Sequence, residues 1–113
     1  MATRISTVKE YFDTLNQRFV KEAAKGVEAV FQFEIGGAGG GTWHVAVKDG
    51  EMSVHEGPHP SPSSVVTSTA DDYVKIANGD INGLRAVMTR KMKVSGNLVM
   101  ARKMQNMLPT GNI

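Results

Sequence analysis

The stretch Gly41-Thr-Trp-His-Val-Ala-Val-Lys-Asp-Gly-Glu-Met-Ser-Val-His-Glu56 decides the fold. Its apolar residues fall at every second position: Trp43, Val45 and Val47 before Asp49-Gly50, then Met52 and Val54 after it. A period of two sends alternate side chains to opposite faces of a strand. Asp-Gly is a favoured two-residue hairpin loop because the tight turn needs positive φ at its centre. With Asp49 and Gly50 as the loop, Lys48 faces Glu51, Val47 faces Met52, Val45 faces Val54 and His44 faces His55. Each apolar residue then meets an apolar one and Lys48 meets a counter-ion, agreements that a one-residue slip would destroy.

Upstream the same period holds. Val27, Ala29, Phe31, Phe33 and Ile35 alternate with Glu28, Val30, Gln32 and Glu34, predicting a half-buried strand. The run Gly36-Gly-Ala-Gly-Gly-Gly41 joins it to the hairpin as a flexible connection. A phosphate-binding loop is excluded there, because Thr42 breaks the Gly-x-Gly-x-x-Gly spacing and no Gly-Lys-Ser/Thr follows. Earlier still, Val8, Phe12, Leu15 and Phe19 recur at helical steps and predict an amphipathic helix over 6–20, with Thr7 and Glu10 as a capping box and Gly26 ending the following segment.

Downstream, Pro58, Pro60 and Pro62 exclude regular structure and mark a crossing loop. Residues 64–69 read as a short strand. Thr69 caps a helix whose first turn carries Asp71 and Asp72, where the helix dipole favours acids, and which ends at Asn78-Gly79. A second short helix carries Leu84, Val87 and Met88. Met92 and Val94 alternate with Lys91, Lys93 and Ser95 in a last strand. Gly96-Asn97 turns into a closing helix with Met100, Met104, Met107 and Leu108 on one side and Arg102, Lys103, Gln105 and Asn106 on the other; Pro109 stops it. One α+β domain spanning residues 1–113, a single sheet with helices segregated to one face, is the expected architecture.

Composition narrows the function. Seven methionines include five between Met88 and Met107, in a stretch that also carries Arg90, Lys91, Lys93, Arg102 and Lys103. Methionine is unbranched and polarizable and lines surfaces that must fit variable shapes, although methionines at helical spacing are more often ordinary core. Residues 1–80 hold seven Lys/Arg against eleven Asp/Glu, whereas residues 81–113 hold six Lys/Arg and no acid. Such asymmetry marks a surface for anions or a solvated helix face. Nucleic acid is not an expected partner: the basic segment has no aromatic residue for base stacking, and no zinc or helix-turn-helix pattern is present. The chain has no cysteine, which removes disulfides and thiolate chemistry. No nucleophile–base set is detectable, so no enzyme activity and no cofactor are expected. His44 and His55 are cross-strand partners on the non-core face, better read as a polar pair or an oligomer contact than as a metal site, and His59 has no visible partner. With no signal-like apolar stretch and no membrane-length run, a cytoplasmic protein is expected.

The ordered set of phrases resembles one family. Gly41 to Gly50 looks like the second strand and turn of sterol carrier protein, nonspecific lipid-transfer domains. Ala70-Asp-Asp-Tyr73 with Asn78-Gly79 resembles their acidic helix start and glycine-bearing end. Met92-Lys-Val-Ser-Gly-Asn97 running into Met104-Gln-Asn-Met107 resembles their basic strand, turn and closing helix. The resemblance covers roughly residues 8 to 108. It implies a five-stranded mixed sheet with helices on one face, enclosing an apolar tunnel that takes fatty acid, fatty acyl-CoA or sterol. The chain departs from the pattern in its glycine-rich first connection and in its last three residues, Gly111-Asn-Ile113, which are not the peroxisomal address of eukaryotic members. On this reading the ligand lies between Phe31, Phe33, Trp43 and Val45 on the sheet and Met88, Met92, Met100, Met104 and Leu108 beside the helical layer. Arg85, Arg90, Lys91 and Lys93 attract an anionic head group or an anionic membrane surface. A homodimer, or a non-catalytic accessory or dimerising role in a larger assembly, is the alternative, ahead of a nucleic-acid-binding protein using the basic C-terminal third.

Overall fold

The computed structural model describes residues 5–15, 19–81 and 83–107, and their side chains except those of 23, 83, 84, 101 and 104–107. Helix α1 (Val8–Asp13) is followed by a 3-10 turn (Lys21–Ala24), strands β1 (Glu28–Gly36), β2 (Gly41–Lys48), β3 (Glu51–Glu56) and β4 (Ser64–Thr69), helices α2 (Ala70–Ala77) and α3 (Gly83–Met88), strand β5 (Met92–Gly96) and helix α4 (Leu98–Met107). The strands form one sheet in the order β3-β2-β1-β4-β5. β1 and β4 run parallel and the other neighbours antiparallel, so the sheet is mixed.

The hairpin adopts the register that its alternation demands. Lys48 pairs with Glu51, Val47 with Met52, Val45 with Val54 and His44 with His55. The loop takes positive φ at both centres, 47° at Asp49 and 86° at Gly50. One expected contact differs. Lys48 Nζ lies 3.9 Å from Glu28 Oε1 on β1, with both side chains largely exposed, because Lys48 stands between two acids in adjacent strands.

α1 keeps the predicted stripe, with Val8, Phe12 and Leu15 buried and Phe19 packed against the core, but its regular span is shorter than 6–20. Glu10 N–H donates to Thr7 Oγ1 at its start. At its end the Thr14 hydroxyl donates to the Glu10 carbonyl, which also accepts from Thr14 N–H. Residues 16–18 of the expected helix lie outside the described residues.

All four helices contribute to one apolar cluster: Val8, Tyr11 and Phe12 of α1, Tyr73 and Ile76 of α2, Ala86 of α3, and half-buried Met100 of α4. Their shared cluster with Phe31, Phe33, Trp43 and Val45 places them on one face of the sheet. Tyr11, Phe12, Phe33, Trp43 and Tyr73 interlock by edge and stacked contacts with centroids 4.7 to 6.3 Å apart. The opposite face is crossed by the 57–63 loop. His59 N–H donates to the buried Gln32 side chain there (2.8 Å), and Ser63 N–H donates to the Val30 carbonyl (2.8 Å).

Two turns are fixed by contacts that only particular residues permit. A Cβ on Gly40 would sit 2.3 Å from the Ile35 carbonyl oxygen, so the connection from β1 to β2 closes only over a hydrogen. At the β5–α4 corner Gly96 has φ 88°, and Asn97 Oδ1 accepts from Val99 and Met100 N–H groups, capping α4.

Candidate functional site

On the inner face, β3 is the sheet edge, and Met52, Val54 and Glu56 point to the same side as their partners Val47, Val45 and Trp43. α1 lies over this corner. Its Phe12 ring stacks on the Trp43 indole at 4.7 Å and 16°. Because β3 has no strand beyond it among the described residues, the space between α1 and the edge is filled only partly. What remains is a groove of about 450 Å³, open on one side and lined by Phe12, Asp13, Trp43, Met52, Val54 and Glu56. Its volume falls in the range of small-molecule sites. The apolar lining comes from Phe12 and Trp43, which are buried, and from half-buried Met52 and Val54, and the surface the groove exposes is more polar than apolar. The rim is charged. Lys9 Nζ donates to Asp13 Oδ2 at 2.7 Å, and both side chains are more than half exposed. That hydrogen bond, with the Asp13 charge and more weakly that of Glu56, holds the Lys9 pKa above its ordinary value, so Lys9 is a cation throughout the neutral range.

The expected ligand-lining residues divide. Trp43 lines the groove directly. Phe31, Phe33 and Val45 lie in the core with at most 1% exposure, and Met92 is also buried. Met100 is half-buried against the core. Met88 is 75% exposed on α3, whereas Ala86 of the same helix is buried. The Met104 side chain and Leu108 lie outside the described residues. The expected head-group residues Arg85, Arg90, Lys91 and Lys93 are all exposed on α3, the α3–β5 turn and β5, at the opposite end of the sheet from β3. Arg90 takes φ 62°, and the Lys91 N–H reaches back to the Ala86 carbonyl, closing the helix end. Sequence reading missed Phe12, Met52, Val54, Asp13 and Glu56 as a group. The signal was present in the hairpin register, which puts Glu56 opposite Trp43.

On the other face His44 and His55 stack at 4.9 Å, and His59 joins them, 5.2 Å from His44. His44 Nδ1 is 2.9 Å from the Gly57 carbonyl and so carries the proton, whereas His59 Nδ1 accepts from Ser61 N–H. The first bond ties the crossing loop to the sheet, and the second lies within the loop. Among the described residues no group of three or more His, Asp or Glu could hold a metal ion.

Comparison with known proteins decides the lineage. Residues 9–109 match the SCP-2 sterol transfer family. The chain belongs to that family. This SCP-2 domain is 33% identical over 106 residues to hydroxysteroid dehydrogenase-like protein 2 of Mus musculus, covering 93% of this chain and 22% of the mouse protein. It thus spans about a fifth of that relative's length. Among solved structures it resembles palmitated SCP2L2 from Aedes aegypti (TM-score 0.73, 24% identity, covering 96% of this chain and 99% of that one). It also resembles the inverting sec-alkylsulfatase Pisa1 from Pseudomonas sp. (TM-score 0.78, 17% identity, covering 91% of this chain and 16% of that one). The five-stranded α+β fold is therefore shared both by a short lipid-loaded protein and by one domain of a much longer enzyme. Among the described residues no helix is long and apolar enough to cross a membrane.

Proposed function

We propose that this SCP-2 domain binds a long-chain lipid without covalent chemistry and carries or presents it. The observation that supports this most is the groove between α1 and the β2–β3 edge, with its aromatic and aliphatic floor of Phe12, Trp43, Met52 and Val54. An apolar tail enters over Trp43. Toward the middle of the molecule lie the inner sheet residues Phe31, Phe33 and Val45 and half-buried Met100, the route by which a longer tail would continue. The palmitated SCP2L2 of Aedes aegypti, similar in fold, supports a fatty acyl chain as one class of occupant. Burying about ten methylenes contributes roughly 8 kcal/mol gross. Lost freedom of the partners costs on the order of 4 to 15 kcal/mol. The two nearly offset, which suits loading and release rather than storage.

The exposed cations Arg85, Arg90, Lys91 and Lys93 form the side of the domain that faces an anionic membrane during exchange, each adding about 1 kcal/mol near anionic lipid. A second reading, an accessory domain that presents lipid to a partner enzyme, is favoured by the mouse relative, of which the chain covers 22%. Both readings require uptake. Native mass spectrometry of the purified chain before and after incubation with dodecanol, palmitate and palmitoyl-CoA tests it. A one-to-one adduct with at least one of them is expected, and an unchanged mass with all three overturns the proposal.

A further inference from the structure

We infer that Glu56 and Asp13 select the ligand's head group at the groove mouth, disfavouring a carboxylate and favouring an uncharged hydrogen-bond donor such as a long-chain alcohol. This rests on the proposed lipid binding in the α1–β3 groove and names the class of head group that the groove takes. Among the described residues, three charged side chains stand at the rim. Glu56 projects from the inner face of the edge strand beside Trp43, Asp13 follows the stacked Phe12, and Lys9 is bound to Asp13 at 2.7 Å. Lys9 is thus already neutralised by Asp13, and Glu56 leaves the mouth with a net negative charge. The cations that would welcome an anion, Arg90, Lys91 and Lys93, lie beyond β4, three to four strand spacings away, roughly 15 to 19 Å. A tail seated over Trp43 with its head at this opening meets acceptors. A hydroxyl donates to Glu56; a carboxylate cannot, and it adds a like charge a few ångströms away. The rim side chains are solvent-exposed, so each like charge weakens binding by roughly fivefold at low salt, and less as salt screens it.

The test uses the whole chain and its single tryptophan, Trp43, as reporter. Dodecanol and dodecanoate are titrated at neutral pH, at low and high salt, into the wild type, Glu56→Gln and the double variant Asp13→Asn/Glu56→Gln. Both substitutions are at exposed sites outside the core. The expected result is a preference for dodecanol that shrinks with salt, narrows in Glu56→Gln by roughly fivefold, and narrows further or inverts in the double variant, where Lys9 is left as an unopposed cation. A dodecanol-to-dodecanoate ratio that is the same in all three proteins overturns the inference while leaving lipid binding intact. Failure of both ligands to bind the wild type overturns the underlying reading and the inference with it.

Discussion

The Phe12 ring lies nearly parallel to the Trp43 indole, 4.7 Å centroid to centroid, and so joins the first helix to the second strand at the floor of the groove. The same Phe12 ring contacts Phe33 edge-on at 5.1 Å, so one side chain supports both the core and the site. Phe12→Ala is expected to destabilise the domain by about 3–5 kcal/mol, the usual cost of emptying a buried phenylalanine site. Phe12→Leu keeps most of the volume and is expected to cost less than about 1.5 kcal/mol while changing the near-ultraviolet dichroism of Trp43. Urea unfolding separates the two; equal losses would mean that Phe12 does not bridge the layers.

The N-terminal segment is held by a backbone-like pair. Ile5 N–H donates to Asn78 Oδ1 at 2.8 Å, and Asn78 Nδ2 donates to the Ile5 carbonyl at 2.9 Å, both residues being buried. Asn78→Ala leaves a buried donor and a buried acceptor without partners, at about 1–3 kcal/mol each. The expected loss is therefore about 2–6 kcal/mol, with faster amide exchange at Ile5. A loss below that range would show that water replaces the amide without cost.

Much of this architecture was legible because local and long-range signals agreed. The hairpin register followed from Asp49-Gly50 and alternation alone, and Thr69 could be read as a cap from its place before Asp71 and Asp72, where it accepts from Asp72 N–H. The length of α1 was not legible: the regular span ends at Asp13, and periodicity alone does not encode that end. The groove was legible only in part. Trp43 was named, but Met52, Val54 and Glu56 acquire their meaning from β3 being an edge, and strand order is a property of the whole sheet. The exposure of Met88 was not legible, because composition does not tell which side of a six-residue helix faces inward. His59 gained partners because the crossing loop folds back over β1 and β2.

Gly96 tests the corner that leads into α4. Its φ is 88°, and a Cβ would lie 2.7 Å from the Ser63 carbonyl oxygen. Asn97 beside it donates its backbone N–H to that same carbonyl, and its own carbonyl accepts from the buried Ser64 hydroxyl at 2.6 Å. Gly96→Ala is expected to cost about 1–3 kcal/mol through backbone strain, with more if Ser63 cannot shift. Asn97→Ala, which loses the α4 cap, is expected to cost about 1 kcal/mol. Thermal unfolding of the two variants checks the order, and a Gly96→Ala protein as stable as wild type would contradict the close approach.

Met52 and Met88 separate the groove from the methionine-rich segment as the seat of the ligand. Met52 is half-buried on the edge strand and lines the groove; Met88 is 75% exposed on α3. Met52→Lys places an ammonium in the apolar wall. At an open edge the lysine stem can lie along the surface with its head in water, so the cost to folding is small. A tail in the groove would have to displace that head or lose its contact with the wall. Met52→Lys is therefore expected to reduce dodecanol uptake at least tenfold, about 1.4 kcal/mol, whereas Met88→Lys leaves uptake unchanged and strengthens retention on anionic vesicles slightly. The measurements are Trp43 fluorescence titration for uptake and vesicle sedimentation for retention, with urea unfolding to confirm that both variants fold. Uptake lost in Met88→Lys and kept in Met52→Lys would move the ligand to the helical side of the domain and discard the groove as its seat.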